Sequence, residues 1–135
     1  MSDQVARVYL IDDDADMHHA VRLMLEPRGY EVKCFLTGSS GLEAIRRQPP
    51  DVLLLDIMLG SPVEGIELGN RLACDPQTSN IPIVMISSLS RAAAEDLARQ
   101  IGLERLAADE FLEKPLAPDA VVEAVASAAA HRKAT

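Results

Sequence analysis

Four aspartates crowd the segment directly after an apolar run near the start of the chain: Asp12, Asp13, Asp14 and Asp16. Like charges repel by about 4 kcal/mol for a close pair at an effective dielectric constant of 20. Such a cluster therefore requires a cation, a change of protonation or ample solvent. A hard divalent cation such as Mg²⁺ prefers oxygen ligands and suits these carboxylates. Mg²⁺ is therefore the cation we expect wherever the fold gathers carboxylates of this segment with others.

Three further polar side chains lie at or just after apolar runs later in the chain: Asp56, Ser87 and Lys114. A carboxylate can act as a nucleophile, a lysine supplies a fixed positive charge, and a hydroxyl can donate to a phosphoryl oxygen. Together with Mg²⁺, these groups make a site suited to forming an aspartyl phosphate. The remaining condition is that the fold brings them together.

Apolar, strand-like runs alternate with segments of helical period along the whole chain. The predicted strands are Val5 to Ile11, Glu31 to Leu36, Asp51 to Leu55, Ile81 to Ile86 and Glu110 to Leu112. This alternation predicts an α/β fold, a doubly wound five-stranded parallel sheet with five helices, because parallel strands need crossover connections. The binding crevice of such a sheet lies at the carboxyl ends of its strands. We therefore expect the polar groups to converge at one edge.

The helical segments carry their own start and stop signals. The first should end at Pro27 and Gly29, since proline cannot continue the backbone ladder and glycine accepts a left-handed cap. The second contains Ser40 to Glu43 at the spacing of a capping box, which predicts an N-cap at Ser40. The other three are predicted at Gly65 to about Leu72, from Ser90 with Leu97 and Ile101 facing inward, and from Pro118 to Ala130.

Composition limits the class of protein. The chain has 135 residues, of which 48% are hydrophobic and 25% charged, values typical of a globular protein. We expect a single domain over residues 1–135 with a core at about 5–130. The net charge of −8 argues against direct nucleic-acid binding. No apolar run is long enough to span a bilayer and no signal peptide is evident, which predicts a soluble cytoplasmic protein.

The chain resembles the receiver domain of two-component response regulators, of the single-domain chemotaxis type. The resemblance rests on four motifs in order, "LIDDD", "DVLLLDIML", "IPIVMISS" and "ADEFLEKPL". It implies a flavodoxin-like strand order of 2-1-3-4-5. By position, it makes Asp56 the phosphoacceptor, and it makes Asp13 a direct Mg²⁺ ligand beside Asp12, which acts mainly through water. It also adds the backbone carbonyl of Met58 to the metal ligands.

The resemblance also implies a mechanism and partners. Asp56 would take a phosphoryl group from a sensor histidine kinase or a phosphotransfer protein, with Lys114 and Ser87 as catalytic partners. Ser87 and Phe111 would then switch a face formed by helix 4, strand 5 and helix 5, which a downstream effector or an output domain would read. A homodimer is a further arrangement that this family uses. The domain would catalyse only its own phosphorylation and dephosphorylation, and the resemblance implies a cis peptide between Lys114 and Pro115.

Several positions depart from the family pattern. Gly60 stands where proline is common, and the family's glycine, Gly65, comes one residue late. The stretch "IGLERLAADEF" makes the connection into strand 5 longer than usual. Met58 and Leu89 occupy positions whose side chains influence the hydrolytic water in this family, and neither can orient water by hydrogen bonding. We therefore expect a comparatively long-lived phosphoryl group.

Other interpretations remain open. Asp12, Asp14 and Asp16 have the one-three-five spacing of an EF-hand, but the sixth position is Met17 and the twelfth is Leu23. Asp12 and Asp14 also match the DxD motif of haloacid-dehalogenase-like phosphatases. This interpretation gives Asp56 no role.

A phosphorylation-independent adaptor with the receiver fold is the non-catalytic alternative. Five single positions also have a simpler structural explanation. Asp14 and Asp16 taken alone suit solvated or helix-capping positions. His18 and His19 suit surface roles, and Phe111 could simply belong to the core.

Overall fold

The computed structural model describes residues 6–130, and in this part of the chain strands and helices alternate. The strands are β1 (Arg7–Ile11), β2 (Glu31–Phe35), β3 (Val52–Asp56), β4 (Ile83–Ser87) and β5 (Glu110–Glu113). The helices are α1 (Ala15–Leu25), α2 (Gly38–Arg47), α3 (Glu64–Cys74), α4 (Arg91–Gln100) and α5 (Pro118–Ala130). All five predicted strands and all five predicted helices are present. The start of the first predicted strand, at Val5, lies outside the described residues.

The five strands form one parallel sheet in the order β2-β1-β3-β4-β5. This arrangement confirms both the α/β class and the strand order 2-1-3-4-5. The order reverses between β1 and β3, so the carboxyl ends of these two neighbouring strands border the crevice where ligands bind in open parallel sheets. The sheet therefore brings the ends of β1, β3 and β4 side by side.

Side chains alternate between the two faces of the sheet and feed two separate apolar clusters. Tyr9 and Ile11 of β1 pack on the face covered by α2, α3 and α4, whereas Val8 and Leu10 pack on the face covered by α1 and α5. Every residue of β3 and β4 is buried. These two central strands are covered on both faces, which explains their almost unbroken apolar sequence.

The ends of α1 follow local sequence signals. Asp14 is the N-cap, and its side chain accepts a hydrogen bond from the amide of Asp16 at 2.9 Å. The helix ends at Leu25 and passes into a single 3₁₀ turn that contains Pro27. Gly29 then adopts a φ of 92°, which an L side chain rarely adopts. The predicted stop at Pro27 and Gly29 and the capping role of Asp14 are confirmed.

Two helix predictions are wrong. The N-cap of α2 is Thr37 instead of Ser40, because the Thr37 side chain accepts from the amide of Ser40 at 3.1 Å. Ile101, predicted to face inward, follows the end of α4 and is exposed, since Gly102 turns the backbone with a φ of 93°. The buried face of α4 instead carries Ala94 and Ala98.

The connection from α4 to β5 is ordered by a few anchors. Leu106 is buried in the core, and the side chain of Asp109 accepts a hydrogen bond from the amide of Ile83 at 2.8 Å. The amide of Asp109 in turn donates to the carbonyl of Ile83 at 2.8 Å. These contacts tie the long segment to the first residue of β4. Within residues 6–130, no helix has the length and apolar character needed to cross a membrane.

Candidate functional site

The carboxyl ends of the strands bring the predicted polar side chains to one edge of the sheet. Asp12 follows β1 directly, while Asp56 and Ser87 are the last residues of β3 and β4. Lys114 follows β5 directly. Because all five strands run in the same direction, these four side chains emerge at the same end.

Three carboxylates form the centre of the site. Asp12, Asp13 and Asp56 each offer an oxygen, and these atoms lie within 4.8 Å of one another. Asp12 and Asp56 are buried, with 0% and 4% of their surface exposed, whereas Asp13 is exposed. Oxygens this close on hard ligands fit a divalent cation such as Mg²⁺, which would complete its shell with water. The donor set therefore suits the predicted metal.

Lys114 balances part of this negative charge. Its ammonium group lies 3.2 Å from one oxygen of Asp12 and 3.5 Å from one oxygen of Asp56. The backbone fixes the lysine in place, because its amide donates to the carbonyl of Ser87 at 2.8 Å. The peptide between Lys114 and Pro115 is cis, as expected.

The electrostatics of the site follow from burial and crowding. Burial, together with the nearby charge of Asp12, raises the pKa of Asp56 from 3.8 to about 6. Lys114 and the amide of Met58 oppose this increase. For Lys114, burial alone would lower the pKa, but the carboxylates of Asp56 and Asp12 outweigh it and raise the pKa. The site is therefore short of positive charge even with its lysine in place.

Hydrogen bonds hold the aspartates in position. The amide of Asp14 donates to one oxygen of Asp12 at 2.9 Å, and Lys114 binds the other. The amide of Met58 donates to Asp56 at 3.3 Å, while 44% of the Met58 surface is exposed. Asp13 belongs to the same carboxylate cluster. Among residues 6–130, its side chain makes no hydrogen bond.

Ser87 ends β4, next in the sheet to the strand that ends in Asp56, and Phe111 lies in β5 opposite Met85. Ser87 is fully buried, and its hydroxyl oxygen accepts from the amide of Leu89 at 2.8 Å. The hydroxyl hydrogen is thus free to point toward a ligand at the strand ends. Phe111 is half-buried in β5 and packs against the cluster on the α2, α3 and α4 face.

Gly65 supports the loop beneath Asp56. Its amide donates to the carbonyl of Ile57 at 2.8 Å, which holds the start of α3 directly against the end of β3. A Cβ atom at this position would lie 2.0 Å from the carbonyl oxygen of Asp56 and 2.6 Å from the Cα of Ile57. Only glycine fits such a close backbone approach.

One residue at the site was missed by sequence reasoning. His18 was expected at the surface, but it is half-buried, and its Nε2 lies 2.6 Å from the backbone carbonyl oxygen of Asp12. Helical spacing could have indicated this burial, because His18 precedes the buried residues Val21 and Leu25 by three and seven positions. His19 is exposed, as expected.

Comparison with known proteins shows the family of the chain. Residues 8–126 match the family model of the response regulator receiver domain. The chain belongs to this family. The receiver is 36% identical over 115 residues to the transcriptional regulatory protein CseB of Streptomyces coelicolor, covering 85% of this chain and 45% of CseB. It is 32% identical over 119 residues to the DNA-binding response regulator MtrA of Mycobacterium tuberculosis, covering 88% of this chain and 48% of MtrA.

A solved structure extends the comparison to three dimensions. The receiver domain of NtrX from Brucella abortus superimposes with a TM-score of 0.76 at 28% identity, covering 92% of this chain and 98% of that one. The receiver described here spans about half the length of the curated relatives it matches. The comparisons therefore show the family and the fold of the chain.

The two metal-site alternatives do not match the observed cluster. An EF-hand would gather Asp12, Asp14 and Asp16, but Asp14 caps α1 and Asp16 lies exposed in its first turn. The phosphatase interpretation requires Asp12 beside Asp14, whereas the carboxylates that converge with Asp12 are those of Asp13 and Asp56.

Proposed function

We propose that this receiver takes a phosphoryl group onto Asp56 and uses the modification as a signal. The observation that carries the proposal is the pair of contacts from Lys114 to Asp12 and Asp56, inside a cluster of three carboxylates. Burying like charges around one lysine destabilises a fold, so a purely structural domain has no physical need for it.

The chemistry of the transfer is a displacement at phosphorus. One oxygen of Asp56 attacks the phosphorus of a phosphohistidine on a sensor kinase or phosphotransfer protein. The new oxygen–phosphorus bond forms as the phosphorus–nitrogen bond breaks, and the electron pair of that bond leaves with the imidazole, which takes up a proton. Lys114 would neutralise the charge on the phosphoryl oxygens, because such reactions depend on positioning and electrostatic stabilisation.

Magnesium fits this site through groups already present. Asp13 and Asp56 would bind the ion directly, Asp12 mainly through water, and the backbone carbonyl of Met58 would add a further ligand. When bound, Mg²⁺ would withdraw negative charge from the phosphoryl oxygens. Asp13 is exposed, so an ion can enter from solvent without moving the buried residues.

Ser87 and Phe111 would convert the modification into a change of surface. Ser87 is buried at the end of β4, next in the sheet to the strand that ends in Asp56, and its hydroxyl can donate to a phosphoryl oxygen. Movement toward the phosphoryl group would open space for the ring of Phe111. The surface made by α4, β5 and α5 would then report the state of Asp56 to a partner.

In this proposal, a partner protein or an attached domain delivers the output of the receiver. CseB is named a transcriptional regulatory protein and MtrA a DNA-binding response regulator. We propose that this receiver acts in the cytoplasm and likewise controls an effector protein or an output domain, after phosphorylation by a sensor histidine kinase or a phosphotransfer protein. A second copy of the receiver is a further partner that the switched surface could accept.

Intact mass spectrometry tests the proposal directly. The protein is incubated with acetyl phosphate and Mg²⁺, beside Asp56→Asn, a chelator control and Asp16→Asn, which removes an exposed aspartate outside the cluster. We expect one phosphoryl group on the wild type and on Asp16→Asn, and none on Asp56→Asn or without metal.

The alternative functions give different results. A folded protein that binds Mg²⁺ but gains no mass would support the phosphorylation-independent adaptor. Steady release of inorganic phosphate that persists in Asp56→Asn would support the phosphatase. Either result would overturn the assignment of Asp56 as the phosphoacceptor.

A further inference from the structure

The backbone carbonyl of Asp12 is held by a side chain of α1. The Nε2 of His18 lies 2.6 Å from this oxygen. A carbonyl oxygen only accepts, so Nε2 carries the proton and donates. The bond returns from the start of α1 to the first residue after β1, across the turn that carries the aspartates.

This carbonyl controls the placement of Asp13. It belongs to the peptide that joins Asp12 to Asp13, so its orientation sets the direction in which the Asp13 side chain leaves the backbone. Asp13 is exposed and, within residues 6–130, its carboxylate has no hydrogen bond to fix it. The position of this carboxylate therefore depends on the backbone of the turn.

The other contacts of the turn hold its two ends. The amide of Asp12 donates to the carbonyl of Phe35 at 3.0 Å, and the amide of Asp14 donates to the Asp12 side chain at 2.9 Å. The carbonyl of Asp14 accepts from the amides of Met17 and His18 at 3.0 and 3.3 Å. Among the described residues, His18 supplies the contact to the Asp12 carbonyl itself.

We propose that His18 is a positioning residue for the metal site, which holds the Asp12 carbonyl so that the Asp13 carboxylate is preoriented toward a divalent cation. This inference rests on the proposed function for its biological purpose. Residues that orient metal ligands from outside the ligand set typically change metal affinity by about 10–100-fold when replaced. His18 acts through the backbone, one step further away, so we expect a loss of about 3–10-fold.

Three variants separate the hydrogen bond from the bulk of the ring. His18→Leu fills similar space without a donor, and His18→Gln returns an N–H at a comparable distance along the side chain. His19→Leu is the matched control, because His19 is its exposed neighbour on the same helix. Urea unfolding of each variant of the 135-residue chain shows whether the fold is retained.

Isothermal titration with Mg²⁺ alone is the deciding measurement. We expect His18→Leu to raise the dissociation constant about 3–10-fold, with His18→Gln within about twofold of wild type and His19→Leu unchanged. The Mg²⁺ concentration for half-maximal labelling of Asp56 by acetyl phosphate should rise in parallel, while the labelling rate at saturating Mg²⁺ stays within about twofold.

Two outcomes would overturn the inference: wild-type Mg²⁺ affinity in His18→Leu, or an equal loss in His18→Leu and His18→Gln, which would assign the effect to ring packing. Failure of the proposed function is a separate result. If no variant is labelled at Asp56 but the pattern of Mg²⁺ affinities holds, the positioning role of His18 stands and the phosphotransfer role falls.

Discussion

Replacing the central aspartate should make the metal-free protein more stable. Asp56 is almost fully buried next to Asp12, and its carboxylate ionises in the fold only above a pKa of about 6, compared with 3.8 ordinarily. Burial and the charge of Asp12 disfavour the ionised form more than Lys114 favours it. Asparagine has nearly the same shape and no charge, so Asp56→Asn removes the free-energy cost of burying the ionised carboxylate.

The magnitude follows from the same pKa. A tenfold change in an acid constant corresponds to about 1.4 kcal/mol, so the increase in the pKa of Asp56 sets an upper limit of about 3 kcal/mol. Relaxation of the side chain and water entry reduce this value in practice. We expect Asp56→Asn to raise the free energy of unfolding by about 2 kcal/mol at pH 7.5 without metal.

The pH dependence gives the prediction a distinctive sign. Below the unfolded pKa of 3.8 the carboxyl group is protonated in both states, and above about 6 it is ionised in both. Between these values the folded state binds more protons, so this group lowers stability as the pH rises. The advantage of Asp56→Asn should therefore be full above pH 6 and vanish near pH 4.

Urea unfolding followed by circular dichroism measures the effect, because the chain has no tryptophan. Wild type, Asp56→Asn and the control Glu104→Gln, which changes an exposed residue, are compared at pH 7.5 and pH 4 with a chelator, and at pH 7.5 with Mg²⁺. Mg²⁺ at 100 times its dissociation constant stabilises the form that binds it by about 2.7 kcal/mol, which should cancel the difference. Equal stability of wild type and Asp56→Asn in the chelator at pH 7.5 would refute the electrostatic argument.

Three further predictions follow from the site. Lys114→Met should destabilise the metal-free protein by about 3 kcal/mol in urea unfolding, because it leaves two buried carboxylates without their cation; Mg²⁺ should restore part of the loss. Gly65→Ala should lower stability by about 3 kcal/mol, since its Cβ would meet the carbonyl of Asp56 at 2.0 Å; an unchanged midpoint would contradict the close packing. Phosphoryl loss from Asp56 should be slow, and polar substitutions at Met58 and Leu89 should speed it in a phosphate-release assay; rapid loss that slows on substitution would oppose this.

The convergence of the site was predictable from the sequence because two simple regularities suffice. Apolar runs mark the strands, and the alternation with helices makes the strands parallel, so residues at strand ends must meet at one edge. Asp12, Asp56, Ser87 and Lys114 lie there for this reason alone. The distances between them required the structure, because they depend on sheet twist and on side-chain rotamers.

The errors arose where two local signals competed. Thr37 and Ser40 can both cap a helix, and a capping box favoured Ser40, but Thr37 has an extended backbone and the helix begins directly after it, at Gly38. Ile101 fits the helical period of α4, but Gly102 ends that period first. The helical spacing of His18 to Val21 and Leu25 could have indicated its burial, but no side-chain pattern reveals its partner, which is a backbone carbonyl.

Charge balance links the stability of this site to its chemistry. Three carboxylates and one lysine leave two negative charges when all four groups are ionised, which is the charge that a divalent cation cancels. Without the cation, burial and the nearby charge of Asp12 raise the pKa of Asp56, so its carboxyl group holds a proton more tightly than usual. Above about pH 6 the carboxylate of Asp56 is ionised even without metal, so at neutral pH the site carries this excess negative charge until a cation binds. On this reasoning, the charge imbalance that destabilises the metal-free site is also what would attract Mg²⁺ to Asp56, the residue we propose as the phosphoacceptor.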